Sequence, residues 1–168
     1  YNQSSDEGPV FPTPVIGMLG LLDNKDARMT IDFKQEGDLI YLIGESKNDI
    51  GCSEYLVLFH NVKYSPPPFF DINIEYAVQQ GIKKLIQNNL IKSAHDLSEG
   101  GLFIALLESA MVNNFGFDIK TDPCFRKDAF LFGEAQSRIT VSVSPVHKNK
   151  LEDELKSLSL VYSNIGKV

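Results

Sequence analysis

The stretch from Gly101 to Asn113 (GLFIALLESAMVN) constrains the fold more than any other part of the chain. Read at helical periodicity it is apolar on nearly every side. Such a helix belongs in an interior, because a helix on the surface of a domain needs only one apolar stripe. The segment therefore predicts a helix over 101–113 that is buried on most sides, with sheet and further helices packed around it.

The rest of the sequence supplies those layers. Leu39-Ile40-Tyr41-Leu42-Ile43-Gly44 is a short continuous apolar run of the kind that forms a central strand. Residues 138–144 (RITVSVS) alternate with period two and read as a half-buried strand. Shorter strands are expected at 28–31, 91–95, 117–120 and 161–165. Phe130 to Gln136 is a further apolar run interrupted by Gly133. Residues 13–22 (TPVIGMLGLL) read as a buried strand, with Gly17 and Gly20 at close backbone approaches.

Helix signals are local. Ser53 can cap a helix over 54–60, and Asp71 a helix over about 71–89 whose inward face is Ile74, Val78, Ile82, Leu85 and Ile86. Pro145 opens a charged helix ending near Leu158, with Val146, Leu151, Leu155 and Leu158 inward and the charges of 148–156 in solvent. Ser65-Pro66-Pro67-Pro68 is a rigid extended connector. The sum is an α/β (α+β) sandwich with a mixed sheet packed with helices, running from about Asp32 to the end.

Charge removes one class of partner. Sixteen Lys and Arg against 22 Asp and Glu give a net charge of −6, a poor basis for binding nucleic acid. No apolar run reaches the roughly 18 residues of a membrane span, and no leader is visible. Cys52 and Cys124 lack metal spacing and are expected as reduced, mostly buried thiols in a cytoplasmic protein. Asn2-Gln3-Ser4 matches the glycosylation sequon by chance. A start at Tyr1 and an end at Lys167-Val168, without cap or polar tail, read as a piece of a longer protein.

Two motifs can carry chemistry. Ala94-His95-Asp96-Leu97-Ser98-Glu99-Gly100-Gly101 is a strand–turn–helix junction. Its helix end offers free N–H groups to an anion, and Asp96 could hold a hard cation beside a phosphate. Plain capping by Asp96 or Ser98 explains the same residues. His95, Asp96 and Ser98 do not make a hydrolase triad, because no G-x-S-x-G elbow accompanies them. In Gly133-Glu134-Ala135-Gln136-Ser137-Arg138 an extended chain would project Glu134, Gln136 and Arg138 to one face. That row is either a polar binding surface or a solvated strand edge. No phosphate-binding glycine loop occurs anywhere.

Three segments together resemble the small, bacterial-type PurL family, subunit II of phosphoribosylformylglycinamidine synthase. They are Phe11 to Leu22 (FPTPVIGMLGLL), Ser93 to Leu102 (SAHDLSEGGL) and Leu131 to Val141 (LFGEAQSRITV). Gly51 to Leu56 (GCSEYL) matches a family segment usually read GGSEYL, with Cys52 as the departure. The resemblance implies the C-terminal domain of the second AIR-synthetase-like copy over 32–168. It makes residues 1–31 the tail, or last strand, of a preceding N-terminal-type domain. The parent would be an ATP-dependent amidoligase of purine biosynthesis, converting formylglycinamide ribonucleotide to its amidine. A docking module of that complex, or a domain of another enzyme of the AIR-synthetase superfamily, is the alternative.

The resemblance further implies Asp96 as a metal ligand, at the counterpart of a first-copy Gln-Asp turn. It implies Ser98, Glu134 and Gln136 as nucleotide-binding residues, with Ala135 standing where the first copy has serine. No residue of this chain is assigned a catalytic role. ATP or ADP with Mg²⁺ would be the cofactors. The partners would be the remaining PurL domains, a glutaminase subunit and a small PurS-type subunit, with neither nucleic acid nor membrane among them.

Overall fold

A computed structural model describes residues 3–4, 8–9, 14–22 and 24–168. Asn2 of the sequon, Phe11, Pro12 and Thr13 lie outside the described residues, as does Asp23. Gln3–Ser4 (β1) and Gly8–Pro9 (β2) form a two-residue antiparallel pair. The domain proper is built on β3 (Leu39–Ile43), β4 (Ser93–Asp96), β5 (Asp118–Ile119), β6 (Ile139–Val143) and β7 (Tyr162–Lys167). Its helices are α1 (Glu54–His60), α2 (Ile72–Gln87), α3 (Gly101–Met111), α4 (Lys127–Phe132) and α5 (Lys148–Ser157).

The five strands form one sheet in the order β4-β6-β3-β7-β5. The α/β sandwich expected from the sequence stands, but every pairing in this sheet is antiparallel, so the sheet is not mixed. Of the helical crossovers, β3 to β4, β4 to β5 and β6 to β7 join strands of like direction, and β5 to β6 joins opposed ones. Each like-directed pair is separated by strands from elsewhere in the chain: β6 lies between β3 and β4, β3 lies between β6 and β7, and β6, β3 and β7 lie between β4 and β5. Interleaving turns a pattern of parallel crossovers into antiparallel ladders.

Alternation along β3 sorts the core into two halves. Ile40 and Leu42 face one way and join Leu102, Leu106 and Phe130 of α3 and α4. Tyr41 and Ile43 face the other way and join Val78, Leu85, Leu151 and Leu155 of α2 and α5. The strand is thus covered on both faces, which explains its unbroken apolar run. β6 is covered on both faces too, so it is not half-buried. Its small polar positions are satisfied internally: Ser142 and Ser93 share a 2.6 Å hydroxyl bond, and Thr140 Oγ1 donates to His95 O at 3.2 Å. Alternation here records small hydroxyl residues inside the protein, not water on one side.

Other expectations shift in part. Helix α3 buries Leu102, Ala105, Leu106, Ser109 and Ala110, while Leu107, Met111 and Val112 are exposed. It is therefore buried on most sides, as expected, with one exposed strip through Leu107, Glu108 and Met111. Residues 14–22 form no strand, and their large apolar side chains are exposed, with nothing near Gly17 or Gly20. An apolar strand needs a free sheet edge of matching register, and no strand of the five-stranded sheet pairs with this segment. Residues 28–31 form no strand, although Thr30 O accepts the Ala94 N–H at 3.2 Å at the edge of β4. Of the apolar run 130–136, residues 130–132 belong to α4. Val146 is exposed because it sits in the 3₁₀ turn Pro145–His147, out of register with α5. Both cysteines are exposed free thiols, not buried ones.

Candidate functional site

The chemistry-bearing segments converge at one end of the sheet, where β4 stops and the chain enters β6. Period two along β4 divides its last two residues between faces. His95 turns towards α3: its Nδ1 lies 3.0 Å from Ala105 O, and its Nε2 lies 3.3 Å from a Glu108 carboxylate oxygen. Asp96 is left on the opposite, solvent-facing side. It lines an open cleft of about 330 Å³ with Phe70, Glu75, Gln136, Ser137 and Arg138 among its walls.

The turn after Asp96 is held by a partner from far along the chain. Helix α3 has Gly100 as its N-cap, in the left-handed region at φ 81°, and no side chain caps it locally. Neither Asp96 nor Ser98 is a cap. Instead Glu134 Oε1 accepts the Gly100 N–H at 2.8 Å and also the Glu54 N–H at 2.8 Å, at the start of α1. One carboxylate oxygen thereby ties together the N-terminal ends of two helices, where N–H groups lack intrahelical partners and negative charge is favoured. Gly101 permits the close approach this requires. A β-carbon there would lie 2.5 Å from Gly133 O, and its φ of 68° also favours glycine.

The expected row of Glu134, Gln136 and Arg138 on one face does not form. Ser137 takes a φ of 61°, which breaks the extended path. Arg138 turns inward to 2% exposure, where its Nε donates to Ala135 O at 3.1 Å and a terminal nitrogen donates to Gly133 O at 2.6 Å. Burial pushes its guanidinium down to about 10, an effect that the charge of Asp49 opposes. Gln136 stays exposed and lines both the Asp96 cleft and a smaller neighbour that contains Lys47, Phe69 and Asp71.

The sequence reading missed several walls of the site. Glu75 of α2 faces the cleft and accepts from Ser137 Oγ at 2.7 Å and from Gln79 at 2.7 Å. Lys47 sits 3.9 Å above the Phe69 ring as a cation–π pair. Asp49 accepts the Phe69 N–H at 3.0 Å and so fastens the segment after the triple proline across the mouth. None of these belongs to a motif, and each is brought in by packing over long sequence separations. Asp71, by contrast, was legible: its carboxylate accepts from Asn73 N and Ile74 N at the start of α2.

The cleft has one exposed carboxylate, Asp96, with no hydrogen bond to any described residue. A second, Glu75, is already engaged. No group of three or more His, Cys, Asp or Glu suited to a metal ion occurs among the described residues. A protein-only metal cage is therefore not what this geometry offers. A site of one carboxylate plus amide and hydroxyl groups suits Mg²⁺ that brings its own phosphate and water ligands.

Residues 35–168 match the family described as AIR synthase related protein, C-terminal domain. The chain is 36% identical over 168 residues to phosphoribosylformylglycinamidine synthase subunit PurL of Alkaliphilus metalliredigens, covering 100% of this chain and 23% of that protein. It is 40% identical over 167 residues to the subunit of the same name from Moorella thermoacetica, covering 99% of this chain and again 23% of the relative. The chain thus spans about a quarter of the length of these curated relatives. Among solved structures, Thermotoga maritima PurL complexed with FGAR superposes with a TM-score of 0.75 at 18% identity, over 85% of this chain and 26% of that one. The same protein complexed with ATP gives 0.68 at 18% identity, over 86% and 23%. Thiamine-monophosphate kinase from Stenotrophomonas maltophilia gives 0.56 at 17% identity, over 83% and 49%. At such identities these structures establish the shared fold.

Proposed function

The chain belongs to the AIR synthase related proteins, as their C-terminal domain, and from that premise we propose that it serves within a PurL-type phosphoribosylformylglycinamidine synthase. Such an enzyme is an ATP-dependent ligase of purine biosynthesis. The observation that carries the reading is the 36–40% identity to PurL subunits over practically the whole chain. The family match starts at residue 35, which supports residues 1–31 as the tail of a neighbouring N-terminal-type domain. Because the chain spans 23% of these relatives, turnover of formylglycinamide ribonucleotide is a property of the longer protein. The 168-residue chain alone is expected to have none.

Within that enzyme, the Asp96 cleft is an auxiliary Mg-nucleotide site. Asp96 supplies the carboxylate for Mg²⁺, while Gln136 and Ser98 offer exposed hydrogen-bonding groups for nucleotide oxygens. Glu134 acts by fixing the α1 and α3 ends that form the rim. Mg²⁺ bound there would neutralise phosphate charge and orient the nucleotide. Titrating the chain with ADP, with Mg²⁺ and then with EDTA, tests this. Saturable binding that needs the metal is expected, and binding indifferent to EDTA would remove Mg²⁺ from the reading.

A docking role finds its own support. Helix α1 buries none of its residues, and Leu58 and Phe59 are 71% and 75% exposed. That apolar surface suits the other PurL domains first, and then the glutaminase and PurS-type subunits. No helix among the described residues is long and apolar enough to cross a membrane, in keeping with a cytoplasmic enzyme.

A further inference from the structure

A second cleft lies away from Asp96, sharing none of its lining residues. It is an open hollow of about 500 Å³ between the 3₁₀ turn Lys25–Ala27, the end of α2 and the entry to β4. Lys25, Arg28, Lys34 and Lys92 line it, with Thr30 and Asn89 as further polar groups, and no Asp or Glu is among the described residues that line it. Four cations at one hollow are unexpected on a chain with a net charge of −6.

The pairing of these cations decides what the hollow can hold. Lys34 is bound to Asp32 at 2.6 Å, and Lys92 to the buried Asp38 at 2.7 Å, so those charges are matched from behind. Lys25 and Arg28 make no ion pair with any described carboxylate, and the side chain of Asp26 lies outside the described residues. Among the described residues the hollow therefore carries two unmatched positive charges. Asn89 is held in the left-handed region at φ 52°, and its amide adds donors without charge.

We propose that this hollow is a binding site for a tetrahedral phosphate dianion, carried as inorganic phosphate or as the terminal group of a phosphomonoester. Two cations unmatched among the described residues balance a dianion. A guanidinium fork engages two phosphate oxygens while an ammonium acts as a point charge. Lys34 and Lys92, already neutralised, shape the wall and add donors.

The test is calorimetric titration of the 168-residue chain at neutral pH and low salt, first with sodium phosphate and then with glycerol phosphate. One saturable site is expected in each arm. Tighter binding of the ester identifies a phosphomonoester as the ligand, and equal or weaker binding identifies free phosphate. The double variant Lys25→Gln, Arg28→Gln should bind about tenfold more weakly, the scale of charge-assisted hydrogen bonds lost. Arg28→Lys keeps the charge but loses the fork, so it should bind more weakly than the parent and more tightly than the double variant, and Lys63→Gln, an exposed lysine outside the hollow, should retain all of the affinity. Melting curves of each variant show whether the fold is kept. Absence of saturable phosphate binding overturns the proposal, and so does affinity that survives the double substitution in a folded protein. Because the Asp96 cleft is not touched by these changes, its nucleotide titration fails or succeeds separately.

Discussion

Glu134 accepts the backbone N–H of Gly100 at 2.8 Å across a sequence separation of 34 residues, and the same oxygen accepts from Glu54. A side chain that reads as a binding group thus doubles as the cap of two helices. Glu134→Ala leaves both N–H groups without that acceptor, and the Gly100 group is part-buried. A loss of about 1–3 kcal/mol in urea unfolding is expected. Glu134→Gln keeps a neutral acceptor oxygen and should lose less. Equal stability of Glu134→Ala and the parent would remove this bond from the fold's supports.

Arg138 makes the complementary prediction. Its guanidinium is buried and bonded to the carbonyls of Gly133 and Ala135, so it shapes the loop that carries Glu134 and Gln136. Arg138→Met strands both carbonyls, at a cost of about 1–3 kcal/mol for each buried group left without a partner. The same variant should weaken nucleotide binding by loosening that loop. Unchanged melting would show that the carbonyls find other donors.

What the sequence disclosed, and what it withheld, divides along the range of the interactions. Ser53, Asp71 and the apolar run of β3 act within a few residues of themselves, and each was readable. The junction at 94–101 was readable as a junction, but its cap was not, because the acceptor comes from Glu134 on another segment. The antiparallel sheet was not readable, since interleaving depends on which distant strand slots between two others. Val146 failed because a single 3₁₀ turn at Pro145 rotates it out of the helical stripe.

Tyr41 gives a pH prediction. Its ring is fully buried, and its hydroxyl donates to Glu152 at 2.6 Å. Burial first, then the Glu152 bond and charge, hold the phenol protonated well above its ordinary value of 10.0. Above that pH the unfolded chain releases a proton that the folded chain retains, so stability falls as pH rises. Arg138 acts oppositely, because its depressed value makes the unfolded chain the better proton binder above about 10. The comparison of the parent with Tyr41→Phe isolates the tyrosine. The gap between their melting temperatures should change in favour of the phenylalanine variant as pH passes 10.0. A pH-independent gap would contradict the assignment.

Cys52 occupies a left-handed position, φ 54°, where the similar family segment has glycine. Its N–H donates to Ser65 Oγ at 2.7 Å and its thiol to Ser65 O at 2.9 Å. Glycine would relieve about 1 kcal/mol of backbone strain and return a similar amount as unfolded-state entropy. Cys52→Gly is therefore expected to be near neutral in thermal melts. Cys52→Val, β-branched at positive φ, should cost more than about 1 kcal/mol. A valine variant as stable as the glycine variant would contradict the backbone argument.

Asp96 separates two roles that the sequence left open. A capping carboxylate contributes about 0.5–2 kcal/mol whether or not ligand is present. In the structure Asp96 bonds to no described N–H of α3, and Glu134 serves Gly100 instead. Asp96→Asn should therefore melt with the parent, within the roughly 0.5 kcal/mol typical of surface changes. A metal ligand behaves differently, since its loss appears only when nucleotide and Mg²⁺ are present together. The same variant should lose the Mg-dependent part of ADP binding and keep whatever binding survives EDTA. Gln136→Ala should instead weaken binding with and without the metal, because an amide contacts the nucleotide and not the cation. If Asp96→Asn keeps its Mg-dependent affinity, the metal lies elsewhere and Glu75 becomes the carboxylate to test in the same cleft. If it melts early without ligand, the residue is structural after all, through a contact made only in solution.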